Sequence, residues 1–199
     1  MKRSPLSRGF RRALCALSIL LPLLGLLADC GLFDLRNPAS SGGQGEVPWD
    51  TPTEPRIALA NLKTATEARA IGNYERSLTT DYVFRFDPYD VAADTVWHRD
   101  KELAGMGALF NNEATVRLTW TVRDSGHIGE NRYYRNLGYR LVFRRSASDS
   151  VVIVGLSVMY FKMDGVQWLI YRWADVKDTN QPNLPSWGYA RLNPSLKSP

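Results

Sequence analysis

Two cysteines and two histidines in 199 residues leave this chain poorly supplied for metal ligation. His98 and His127 lie in different connections, and neither has a Cys near it, so no metal site is expected. A Gly-rich phosphate loop is also missing, because Gly42 and Gly43 follow no strand. No serine stands in a recognisable nucleophile elbow, and no cofactor is called for. The longest apolar run, residues 13–28, is broken only by Ser18 and contains Pro22. A stable transmembrane helix needs about 20 apolar residues without such a kink, so this run does not read as one.

What is present is ordered along the chain. Lys2, Arg3, Arg8, Arg11 and Arg12 precede the apolar run, and Leu26-Leu27-Ala28-Asp29-Cys30 closes it. The arrangement resembles the signal peptide and lipobox of bacterial lipoproteins, with Asp29 where that family carries Gly, Ala or Ser. The resemblance implies a diacylglycerol on the Cys30 thiol, cleavage just before it, and attachment to a membrane. The alternative is ordinary signal-peptidase cleavage with Cys30 left free, which suits an oxidising compartment poorly. Cleavage would remove Cys15, so no intrachain disulfide could form. It would also take away five positive charges and one negative from the formal +5, leaving about +1. The basic balance thus belongs to the targeting segment, and no nucleic-acid partner is inferred. Gly31 after Cys30 implies, by the same resemblance, the periplasmic face of the outer membrane.

The chain divides on composition. Residues 1–29 read as the signal peptide and 30–53 as the lipidated Cys with a tether too poor in apolar residues to order itself. Residues 54–192 are one domain's worth of chain, and 193–199 form a tail. Within the domain, Thr51 or Thr53 can cap a helix with Pro52 or Pro55 in its first turn, and Ile57, Leu59, Leu62, Ala65 and Thr66 recur on one side. Gly72 is expected to stop it and Asn73 to cap a short second helix. A strand over 82–86, a turn at Asp87-Pro88 and a third helix over 100–110 follow, the last with Leu103, Met106 and Phe110 inward. The rest is strand. Ala114, Val116, Leu118, Trp120 and Val122 alternate with polar residues, which is the pattern of a sheet wet on one face. A strand over 133–145 comes next, then 151–163, apolar on both faces and so expected at the centre. Asp164-Gly165 marks a hairpin with positive φ at both central positions, leading to a last strand over 166–176.

Helices first and a long meander after them specify an α+β roll, with N-terminal helices packed in a curved antiparallel sheet. The helix pair broken at Gly72-Asn73, the 82–86 strand, the third helix and the run from Gly165 to Trp173 resemble the nuclear transport factor two-like superfamily, a cystatin-like roll that includes the SnoaL-like and ketosteroid-isomerase-like proteins. A lipocalin-like roll is the alternative. With the lipobox and the stretch from Trp49 to Pro55, the chain is similar to small envelope lipoproteins of this fold.

The resemblance implies a conical cavity that serves enzymes, ligand carriers and dimer scaffolds alike. Catalytic members place a carboxylate base opposite a Tyr or acid donor, and no such motif stands here. Asp175 is the nearest candidate base, two residues past Trp173 and four past Tyr171, where desolvation would raise its pKa. The plainer reading is a carboxylate at the strand's exposed end, capping or pairing with an Arg. Trp120, Tyr139, Tyr171 and Trp173 are candidates to line a pocket for an apolar or glycan ligand, or simply to fill the core. The last strand is apolar on both faces, so either a second copy packs on the sheet as a homodimer or the segment from Trp187 to Leu192 folds back over it. The expected function is a non-catalytic ligand-binding or scaffolding domain on a membrane anchor. The alternatives are an isomerase or cyclase using Asp175 and a purely structural homodimer.

Overall fold

The computed structural model describes residues 47–90, 95–111 and 115–195. The chain divides into two compact units, and the described residues all belong to the second, Gly45–Pro199. Cys30, the expected signal peptide, the start of the expected tether and Ala114 lie outside the described residues. No described helix is long and apolar enough to cross a membrane.

Helix α1, Pro55–Ala68, starts where Pro55 follows an extended Glu54 (φ −143°, ψ 151°), a position where proline loses no helical bond. Ala58, Asn61, Leu62 and Ala65 form its buried stripe at helical spacing. The stop expected at Gly72 falls earlier. Arg69 takes the left-handed conformation (φ 56°), and the Ala70 N–H donates to the Ala65 carbonyl at 2.8 Å, closing the last turn. Gly72 and Asn73 then lie inside α2, Ile71–Arg76, so Asn73 is not its cap. Its side-chain amide instead donates to the Val47 carbonyl at 3.2 Å.

That bond is one of several that correct the tether's expected end at Thr53. Asp50 and Asn61 exchange two hydrogen bonds (3.2 and 2.6 Å), the Trp168 N–H donates to the Pro52 carbonyl at 2.7 Å, and the Arg76 guanidinium lies 4.3 Å from the Trp49 ring centre. The domain therefore includes the residues from Val47 onward.

Strand β1, Leu78–Arg85, leads through the Asp87 turn to β2, Val96–His98, and α3, Arg99–Asn111. Strands β3 (Thr115–Thr121), β4 (Asp124–Ile128), β5 (Asn131–Arg144), β6 (Ser150–Asp164) and β7 (Gln167–Lys177) follow, then α4, Trp187–Leu192. Among the described residues the sheet has seven strands in the order β2-β1-β7-β6-β5-β3, with β4 paired to β5. The pair β1/β7 is parallel and the rest are antiparallel, so the meander closes back on the first strand. Strand β6 is interior, as its two apolar faces predict. Strand β4 has no buried residue, and so no alternation to betray it in the sequence.

Register stacks Leu118, Leu141 and Ile153 across the sheet, and Val116, Phe143 and Val151 beside them. These rows, all buried, form the inner face under the helices. The final hairpin departs from the expected turn. Asp164 pairs with Gln167, so the central residues are Gly165 and Val166, and of the two only Gly165 has positive φ (61°). This is the tight turn that needs glycine first and tolerates a branched residue second.

Candidate functional site

A bulge decides which aromatics meet. Tyr160 pairs with Arg172 and Phe161 with Ile170, so Tyr171 has no partner of its own on β6. An extra residue reverses the alternation. Ile170 and Trp173 both face the helices and are buried, while Tyr171 turns outward, its ring 6.1 Å from Tyr160 with Lys162 5.6 Å above it. Tyr171 therefore does not join Trp120, Tyr139 and Trp173, nor share a face with Asp175.

Those three do come together, around a residue from the far end of the chain. Trp187 stacks on Trp120 (5.6 Å between centres) and meets Trp173 (4.7 Å) and Tyr139 (5.5 Å) edge-on. Trp187 and Arg191 are both fully buried or nearly so. The segment expected to fold back over the sheet enters the interior instead, where Trp187 packs among Trp120, Tyr139 and Trp173.

Helix α4 is seated by its start. Ser186 is extended (φ −83°, ψ 170°); its hydroxyl accepts from the Tyr189 N–H at 3.0 Å and donates to the Asp90 carboxylate. The next N–H groups have no helical acceptor. Trp187 N–H donates to the Tyr139 hydroxyl at 2.8 Å, and Gly188 N–H donates to Asp175 Oδ2 at 2.6 Å. The Tyr139 hydroxyl in turn donates to Asp175 Oδ1 at 2.8 Å. Both Asp175 oxygens are thus engaged, and the residue is 3% exposed. It sits neither at an exposed strand end nor at a free surface. Burial raises its pKa to about 6, opposed by the Gly188 N–H, Arg191 and Tyr139. Burial, with the Asp175 charge, also pushes the Tyr139 phenol well up.

The second polar cluster has no counterpart in the sequence reading. Arg191 Nε lies 2.9 and 3.1 Å from the two oxygens of Glu102 on α3, and the Tyr74 hydroxyl donates to Glu102 Oε1 at 2.5 Å. The guanidinium stands 3.9 Å from the Phe84 ring centre and 4.5 Å from that of Trp173, which suits a desolvated cation. Burial is the largest single influence on Arg191 and would favour its neutral form, but Glu102, Tyr74 and Tyr82 together outweigh it and the pKa is raised. One signal was available: Glu102 precedes Met106 and Leu109 at helical spacing, a carboxylate on an apolar stripe.

The other candidates stand apart. His98 is exposed at the end of β2, and His127 is exposed on β4 against Arg132, in a strand rather than a loop. No three metal-ligating side chains converge among the described residues. A surface cleft of about 320 Å³ between α1 and the β4/β5 hairpin is lined by Arg56, Ser125, His127, Arg132 and Tyr134, and contains none of the buried candidates.

No family model matches the sequence, and no curated protein matches it either. Solved structures are similar in fold. A protein from Novosphingobium aromaticivorans, provisionally named an aromatic ring hydroxylase, aligns with a TM-score of 0.55 at 13% identity over 66% of this chain and 92% of that one. A protein of unknown function from Mycobacterium tuberculosis gives 0.55 at 14% over 70% and 83%. A conserved protein from Planctomyces limnophilus gives 0.52 at 16% over 60% and 90%. At such identities the likeness shows the fold alone, an α+β roll with helices packed in a curved sheet, as expected from the order of elements.

Proposed function

We propose that the protein is a non-catalytic scaffolding or binding domain of the bacterial envelope, tethered by a lipid on Cys30 at the periplasmic face of the outer membrane, which works through its surface rather than its interior. The observation that carries this is the burial of Trp187 and Arg191 of α4 against the inner face of the sheet, beside Trp120, Tyr139 and Trp173. A ligand site in this fold needs that space, and a general base needs a lone pair facing it. Asp175, the candidate base, is 3% exposed and accepts from Tyr139 and Gly188, which supports a role in seating α4. Trp120, Tyr139 and Trp173 serve the same packing.

The anchor is tested by the mass of the mature N-terminus together with fractionation of a Cys30→Ala variant. An acylated Cys30, and a variant that leaves the membrane fraction, are the expected results. An unmodified terminus would overturn the tether and favour a soluble envelope protein.

A further inference from the structure

Strands β3, β5 and β6 turn one row of side chains away from the helices. In this row Arg117 lies opposite Val142, and Thr115 and Thr119 lie opposite Arg144 and Arg140. Arg140 and Arg144 flank Val142 two residues to either side on the same face, so three guanidinium groups surround one valine. All three arginines are exposed, and none forms an ion pair among the described residues. Neither β3 nor β5 contains an Asp or Glu. Like charges that neighbour one another across strands destabilise a sheet, and here nothing within the strands offsets them. Next to the arginines, Val152 opposite Val142, then Leu156 and Val158, continue a half-buried apolar strip along β6. The outward rings of Tyr133, Tyr160 and Tyr171 lie beyond it, 6.1 to 6.3 Å apart.

The geometry points to this face as a docking surface for an anionic phospholipid bilayer. Guanidinium groups match phosphate oxygens in pairs. Aliphatic side chains and tyrosines suit the headgroup boundary, where an apolar body and a polar tip are both satisfied. The inference rests on the tethered reading, which sets the domain beside a membrane. A second copy on the same face would bring arginines toward arginines, so the homodimer expected through the sheet is disfavoured by charge.

The test separates the two readings. The unit Gly45–Pro199 is compact by itself and holds the hydrophobic core found among the described residues, so it is the part to test. Its sedimentation with vesicles is independent of lipidation. Phosphatidylcholine vesicles containing phosphatidylglycerol should bind it, phosphatidylcholine alone should not, and salt should weaken the binding. Changing Arg117, Arg140 and Arg144 to Gln should lower partitioning about fivefold each and about a hundredfold together. Lys101→Gln, on α3, should leave it unchanged. Thermal melts of each variant establish that the fold is retained. Equal binding to both vesicles, an unaltered triple variant, an equal loss with Lys101→Gln, or capture by polyglutamate without capture by the anionic vesicles would each overturn the proposal. Whether Cys30 is acylated is decided by the N-terminal mass in any of these cases.

Discussion

Arg191 and Glu102 are 89 residues apart in the chain and form an ion pair whose two side chains are both 0% exposed. The pair joins α4 to α3, with the Tyr74 hydroxyl donating to the carboxylate and accepting from Arg191 Nη2 at 3.2 Å. Taking two charges out of water is costly, so such a pair specifies position more than it adds stability, while breaking it leaves a charge stranded.

Arg191→Met should therefore cost about 3–5 kcal/mol in urea unfolding. Combining it with Glu102→Leu should cost clearly less than the sum of the two single changes, because the stranded carboxylate goes as well. Additive losses in the double-mutant cycle would refute the coupling.

The pH dependence has a definite sign at Asp175. Its folded pKa, about 6, is above the unfolded value, so the folded state holds the proton more tightly. The resulting stabilisation is complete below about pH 4 and is lost as pH rises through 6, amounting to about 3 kcal/mol. Asp175→Asn should flatten this segment of the profile. Denaturant midpoints for both proteins between pH 4 and 7.5 measure it, and parallel profiles would refute the assignment.

Two glycines should respond in opposite directions. A Cβ at Gly155 would strike the Tyr139 hydroxyl and stand 2.9 Å from the Val176 carbonyl, so Gly155→Ala displaces the group that holds Asp175 and Trp187. A loss of about 1–3 kcal/mol is expected in thermal or urea unfolding. At Gly107, inside α3, a Cβ meets nothing within 4 Å, and Gly107→Ala should stabilise by up to about 1 kcal/mol.

The order of elements was legible because it rests on local periodicity. Leu59, Leu62, Ala65 and Thr66 repeat as a helix repeats, Val116 and Leu118 alternate as a strand does, and each pattern needs only a few neighbouring residues. Trp120, Tyr139 and Trp173 were legible as inward aromatics for the same reason. Tyr171 was not, since one unpaired residue reverses the alternation and leaves no mark in composition. The first helix ended at Arg69 rather than Gly72 because the Ala70 N–H found a carbonyl there, which a propensity for glycine does not foresee.

By itself, then, the sequence determined the α+β class, the helices before the meander and the faces of most strands, all consequences of side-chain spacing along a backbone of known repeat. Only the tertiary structure decided which inward groups the last helix meets. Asp175 meets Tyr139 across 36 residues, Trp187 meets Tyr139 across 48 and Arg191 meets Glu102 across 89. Desolvation and hydrogen bonding at such separations depend on where the whole chain closes, so no local pattern could say that Asp175 would meet Tyr139 and the start of α4.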